Sequence, residues 1–220
     1  MKSIVVIPAR GGSKRLPNKN IRFLDGIPLL AHSILYAQSN SELIDAIYVS
    51  TDDESIRNIA LEYGAQVIER PASLSGDFEP TVSALKHVVQ SIAQPIENIV
   101  LLQATNPLRP KNLLKEAFEC YRNGNYDSLF TVSRNQQKLG KIIDHQFVPF
   151  NYEIGQRSQD LEPFYFENGL LYISNAKLIL ENMILSDKAY PMIVDHPFAN
   201  IDIDTQQDFD DAAYLLKKLS

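Results

Sequence analysis

The sequence predicts an α/β fold, a three-layer arrangement of a mostly parallel sheet with helices on both faces. Two observations lead there. Apolar runs of strand length alternate with amphipathic stretches of helix length, and the first run, Ile4-Val5-Val6-Ile7, has no polar alternation, as suits a strand buried on both sides. A third observation locates the function. The first run ends at Pro8 and opens into a loop holding Gly11-Gly12 with Arg10, Lys14, Arg15, Lys19 and Arg22, and no acid precedes residue 25. Because the formal net charge is -6, the cluster is no by-product of a basic composition and reads as a polyanion site.

The elements follow in order. Pro28 starts a helix over about 28–39, and Ala46 to Ser50 is a second strand. Thr51-Asp52-Asp53-Glu54 supplies an N-cap and an acidic first turn for a helix that Gly64 stops, and Gln66-Val67-Ile68 is a third strand. After a connection with Pro71, Gly76 and Pro80, a helix is expected over Thr81 to Ala93, then a buried strand over Asn98 to Leu102. That strand ends in Gln103-Ala104-Thr105-Asn106-Pro107-Leu108-Arg109, so polar groups gather at a second carboxyl end, where open α/β sheets bind ligands. A helix over about 112–122 and a strand over Ser128 to Val132 complete the alternation.

From about Ser133 to Tyr165 the period is lost among short β-like pieces, an excursion that suits a lid or an oligomer contact. A strand over Gly169 to Ser174, a short helix over Lys177 to Met183 and a strand near Met192 to Val194 follow. Asn200 to Asp204 alternates polar with apolar as a strand does, and Thr205-Gln206-Gln207-Asp208 starts a last helix that ends at Lys217-Lys218. We read residues 1–220 as one domain with the excursion at about 133–168.

Composition narrows the function. No apolar run approaches a membrane span, and Met1-Lys2-Ser3 enters the first strand without a signal-peptide core, so a cytoplasmic protein without a membrane partner is expected. A nucleic-acid binder is not expected, since the basic residues sit in one loop rather than on a broad face. The single cysteine, Cys120, excludes an intramolecular disulfide and reads as helix filler. His32, His87, His145 and His196 lack metal-ligand spacing, and no pattern marks a covalent nucleophile.

Two candidate sites remain. Gly11 and Gly12 let backbone N–H groups turn toward a phosphate while Lys and Arg neutralise it; the alternative is a solvated basic loop. Asp202 and Asp204, two apart on a predicted strand, share a face and suit Mg²⁺; the alternative is a helix-capping Asp beside a solvent-facing one. Lys141, Arg157, Asn168 and Tyr172 carry no signal alone.

In these motifs, Ile7 to Pro17 with Lys19-Asn20, the chain closely resembles the acylneuraminate cytidylyltransferases, or CMP-sialic acid synthetases. The likeness continues through Ser50-Thr51-Asp52, Arg70-Pro71, Gln103 to Arg109, Arg157 to Leu161, Asn168-Gly169 with Tyr172, and Ile201 to Asp204. The resemblance implies a Rossmann-like nucleotidyltransferase fold and a homodimer in which the inserted segment crosses to the partner. It implies that Arg10, Gly11, Ser13 and Lys14 wrap the CTP triphosphate, with Lys19 and Asn20 near phosphate and ribose, and that Arg70, Asp77 and Thr81 surround the cytidine and its phosphates. Gln103, Thr105 and Asn106 would lie where sugar meets nucleotide, Lys141 and Arg157 would face the sugar carboxylate across the dimer, and Asn168 and Tyr172 would line the sugar pocket. Asp202 and Asp204 would hold Mg²⁺, and with Arg10 and Lys14 would serve the chemistry.

Two positions depart from the pattern on the sugar side: Asn106 replaces a common serine, and Ser158 stands where many relatives have arginine. No further carboxyl-terminal domain is expected. The implied reaction is attack by the anomeric hydroxyl of a nonulosonic acid such as N-acetylneuraminate on the α-phosphate of CTP, releasing pyrophosphate. The alternatives are another sugar acid (legionaminate, pseudaminate, Kdn or Kdo) or a catalytically silent nucleotide-binding relative.

Overall fold

A computed structural model describes residues 2–219. The strands are β1 (Ser3–Pro8), β2 (Phe23–Leu24), β3 (Ile27–Pro28), β4 (Ala46–Thr51), β5 (Gln66–Glu69), β6 (Asn98–Leu101), β7 (Ser128–Asn135), β8 (Gly140–Ile143), β9 (Gln146–Pro149), β10 (Phe164–Asn175) and β11 (Tyr190–Ile193). The helices are α1 (Leu29–Gln38), α2 (Glu54–Glu62), α3 (Thr81–Ser91), α4 (Leu113–Asn123), α5 (Ala176–Leu180) and α6 (Gln206–Leu219). Seven strands form the main sheet in the order β11-β7-β10-β6-β1-β4-β5, with β10 alone antiparallel to its neighbours.

The uninterrupted apolar run of β1 feeds two cores. Val5 and Ile7 pack on one face with Leu30, Ile34, Ala60, Leu114 and Phe118, while Ile4 and Val6 pack on the other with Leu85, Val88 and Ile179. Period-two geometry explains why every residue of that run must be apolar. A third cluster joins Leu16, Leu24 and Leu108 to Ile203, Phe209 and Ala212, so α6 closes the carboxyl side of the sheet against the basic loop. The chain leaves β1 toward β4 and β5, then returns to β6 on the other side of β1. That reversal puts the loops after β1 and β6 across one crevice.

The excursion is more regular than its sequence. β7 runs on to Asn135, and Asp144 and His145, with φ of 50° and 63°, turn β8 back onto β9. Two consecutive left-handed residues make the turn that suits a tight hairpin, although neither is glycine. Asn200 to Asp204, in contrast, is not a strand. Pro197–Asn200 is a 3-10 turn, and the extended chain after it is tied by the Ile203 N–H to the Thr105 carbonyl, at 2.8 Å. The apolar alternation there reflects burial of Ile201 and Ile203 rather than sheet pairing. α6 begins with the expected capping box: the Asp208 carboxylate accepts from the Thr205 N–H at 2.7 Å, and the Thr205 hydroxyl accepts from the Asp208 N–H at 3.3 Å.

Candidate active site

The crevice holds a cleft of about 540 Å³ lined by Arg10, Ser13, Lys14, Lys19, Asn20, Arg70, Asp77, Thr81, Gln103 and Thr105, with Arg15 and Asp204 at one side. Nearly every residue proposed for the nucleotide therefore meets in one place. Gly11 differs. Its N–H donates to Asp52 Oδ1 at 3.1 Å, and a Cβ there would approach Asp53 Oδ2 to 2.7 Å. This glycine permits the close passage of the loop past α2, and its amide is not presented to the cleft. Asn20 clamps the loop by donating to the Arg10 carbonyl at 3.1 Å. Arg70 lies buried below, donating to Ser50 Oγ and to the Ser50 carbonyl at 3.1 and 2.6 Å; that burial lowers its pKa.

Internal carboxylates occupy the cationic groups. Asp77 pairs with Arg10 at 3.0 Å and with Lys14, and the hydrogen bond from Lys14 is the main reason its carboxyl stays below the usual range. Asp204 pairs with Arg15 at 2.6 Å and with the nearly buried Lys19 at 2.9 Å. A polyphosphate must displace Asp77 to reach Arg10 and Lys14. Asp77→Asn is expected to tighten binding of inorganic triphosphate roughly two- to fivefold at low salt, the range of a partly exposed ion pair. Titration calorimetry at two salt concentrations checks this, and weaker binding would show that Asp77 belongs to the bound state.

A second cleft, of about 500 Å³, shares Gln103 with the first and is lined by Phe166, Glu167, Asn168, Gly169, Tyr172, Asn200 and Asp202. Here the register of β10 slips between Glu167 and Tyr172. Gly169 carries the bulge at φ 74°, with Asn106 Oδ1 2.8 Å from where a Cβ would sit, so a side chain is excluded on both counts.

Two residues proposed to touch the sugar are committed inward. Asn106 is buried; its amide donates to the Ile201 and Asn168 carbonyls at 2.8 and 3.2 Å, and its oxygen accepts from Thr105 Oγ1 at 3.3 Å. Asn168 donates to Ser133 Oγ at 3.0 Å and accepts from Thr131 Oγ1 and the Leu170 N–H at 2.6 and 3.1 Å. Both hold the wall in shape. Tyr172 lines this cleft. Burial first, and then Glu167, pushes its phenol well above the ordinary range, so it remains a donor, bonded to Glu167 Oε2 at 3.1 Å.

Ile201 and Ile203 turn inward as the alternation predicts, but the segment is not a regular strand, and Asp202 lines the second cleft and Asp204 the first instead of the two sharing one face. Asp204 does not cap α6: its carboxylate is held by Arg15 and Lys19, and Thr205 and Asp208 form the capping box. Loss of solvation, opposed by a hydrogen bond from Thr105, raises the Asp202 carboxyl, and the Asp204 charge adds to the rise. Among the described residues no group of three or more His, Cys, Asp or Glu gathers to cage a metal. Two carboxylates that leave positions to water and phosphate oxygens fit magnesium, which keeps much of its hydration. Lys141 and Arg157 line neither cleft of this chain. Lys141 lies on the exposed β8–β9 hairpin, and Arg157 pairs locally with Asp160 at 2.7 Å.

Comparison with known proteins shows the family. A family model described as cytidylyltransferase matches residues 4–219. The chain belongs to that family. It is 36% identical over 217 residues to an N-acylneuraminate cytidylyltransferase of Streptococcus agalactiae, covering 95% of this chain but 52% of the relative, so the chain spans about half the length of that protein. It is 35% identical over 226 residues to a pseudaminic acid cytidylyltransferase of Campylobacter jejuni, covering 99% of the chain and 97% of the relative. It is 36% identical over 222 residues to a CMP-N,N'-diacetyllegionaminic acid synthase of Legionella pneumophila, covering 95% and 94%. A solved structure of a CMP:2-keto-3-deoxy-manno-octonic acid synthetase complexed with CTP superposes with a TM-score of 0.72 at 16% identity over 99% of both chains, which supports the fold.

For this cytidylyltransferase-family chain, sequence reasoning passed over two residues. Glu167 was hidden because residues five apart on a regular strand point to opposite faces, and only the bulge brings it to Tyr172. Arg109 lies in a quoted motif, but nothing in its spacing shows that it is buried on the Gln103 and Leu170 carbonyls. Among the described residues no helix is long and apolar enough to cross a membrane.

Proposed function

We propose that the chain transfers CMP from CTP to the anomeric hydroxyl of a nonulosonic acid. One observation carries this reading: a cationic cleft and a cation-free polar cleft meet at Gln103, with Asp204 on one side and Asp202 on the other. The bond from the anomeric oxygen to the α-phosphorus forms as the α–β phosphoryl linkage breaks, and the hydroxyl proton is released. Arg10 and Lys14 hold the triphosphate and stabilise the charge that builds on the departing pyrophosphate. Gln103 and Thr105 keep the two substrates in line. Asp202 and Asp204 would hold Mg²⁺, which when bound supplies Lewis acidity at phosphoryl oxygens. The names of the relatives support nonulosonic acids as the substrate class, and the use of CTP supports a cytoplasmic location.

The working unit in this reading is a homodimer. Ile142 and Ile154 on the excursion are 80% and 84% exposed, and Phe147 and Phe150 also lie open, an apolar surface of the kind a partner covers. The sugar cleft lacks a cation for the substrate carboxylate, which the partner's Lys141 and Arg157 would supply. Pyrophosphate release from CTP, Mg²⁺ and a panel of sugar acids tests the reaction, and turnover with none of them would reject it. Mixing inactive Arg157→Ala with inactive Asp202→Asn tests the dimer. Random pairing should restore about a quarter of the sites, whereas no recovery would place Arg157 outside the partner's site.

A further inference from the structure

We infer that Glu167 determines specificity in the sugar cleft: it accepts a hydrogen bond from an O–H or N–H of the substrate and turns anionic substituents away. The inference rests on the proposed sugar-acid reading. Its basis is what remains once internally committed groups are removed. Asn106 and Asn168 spend their side chains inside the wall, through the bonds to Ile201, Thr131 and Ser133. The remaining polar side chains of the lining are Gln103, Glu167, Tyr172, Asn200 and Asp202, of which Gln103 also bonds Tyr172 and Asp202 also accepts from Thr105.

Glu167 differs from the other carboxylates nearby. Asp77 and Asp204 each hold two cations, whereas no lysine or arginine pairs with Glu167 among the described residues. Only one of its oxygens is engaged, by the Tyr172 hydroxyl at 3.1 Å, which leaves Oε1 as an acceptor at the cleft surface. With Asp202, the cleft has two carboxylates and no Lys, Arg or His in its lining. A ligand end rich in hydroxyl or acylamino donors is complementary to that wall; a carboxylate or a phosphate monoester is not. The sugar acid must therefore lie with its carboxylate directed away from Glu167, and a phosphorylated sugar acid would have to lose its phosphate by hydrolysis before activation.

The experiment compares wild type, Glu167→Gln and Glu167→Ala on N-acetylneuraminate, Kdn and a phosphorylated sugar acid, with CTP varied separately. Glu167→Ala should raise the sugar-acid KM roughly tenfold to a hundredfold, the range for one hydrogen bond to a charged group, with the CTP KM within about twofold. Glu167→Gln keeps the shape and the Tyr172 bond but removes the charge, so it should narrow the preference for the unphosphorylated substrate roughly tenfold. A loss of structure alone would lower all substrates together and leave that ratio unmoved. Wild-type turnover with unchanged ratios and sugar KM in both variants overturns the role of Glu167 and leaves the reaction standing. A wild type that turns over no sugar acid overturns the reaction and this inference with it.

Discussion

Replacing Asp202 by asparagine is expected to lower kcat by roughly two to three orders of magnitude while the KM for CTP stays within about threefold. The reason is the division of labour between the clefts. In the proposed reading Arg10 and Lys14, which line the first cleft, hold the triphosphate, whereas Asp202 lines the second. Asparagine keeps the size and one oxygen but removes the charge that a divalent ion needs. Initial rates across a magnesium titration check the expectation: the variant should need more Mg²⁺ and never reach the wild-type plateau. Full activity at every Mg²⁺ concentration would exclude the metal role. Asp204→Asn should behave differently, because Asp204 also neutralises Lys19, whose ammonium is buried against the Ile203 carbonyl at 2.6 Å. That variant should lose activity and about 1–3 kcal/mol of stability together, whereas Asp202→Asn should unfold close to wild type.

The contrast between the two aspartates shows how far the sequence could be read. The pairing of Asp202 with Asp204 was visible as alternation around Ile201 and Ile203, and those isoleucines are indeed buried. What alternation could not reveal is that the segment is not part of a sheet but is placed by hydrogen bonds with Thr105, Asn106 and Lys19 and by packing against α6. The β1 loop was legible for the same local reason: its charges lie within a few residues of one another and of a strand end. The sugar side was not. Its wall depends on the slipped register of β10, which reverses which side chains face out, and on Asn106, Asn168 and Gly169 fitting together across about sixty residues of chain. The excursion was read correctly as β-like pieces, but its hairpin turn lacks the glycine that usually marks one.

Arg109 yields the second large effect. Its guanidinium is buried without a carboxylate, donating to the Leu170 carbonyl at 2.6 Å, to the Gln103 carbonyl at 2.9 Å and to Ser33 Oγ at 3.0 Å, with the Tyr36 ring 5.6 Å away. Burial lowers its pKa to about 10, so it remains charged near neutrality. Two effects oppose each other in Arg109→Met. Removing an unpaired buried charge relieves desolvation, but three acceptors lose their donor in a largely buried site. Three charge-assisted bonds outweigh the relief, and urea unfolding should show a loss of about 2–4 kcal/mol. Arg109→Lys should lose nearly as much, because one ammonium cannot span three acceptors set around a planar fork. Equal stability of the Met variant and wild type would mean that the bonds only offset the burial of the charge. Function separates the cases further. Gln103 lines both clefts and Leu170 follows the bulge that shapes the second, so loosening Arg109 should lower kcat/KM for CTP and for the sugar acid together. A substitution confined to one wall, such as Glu167→Ala, should move only the sugar side.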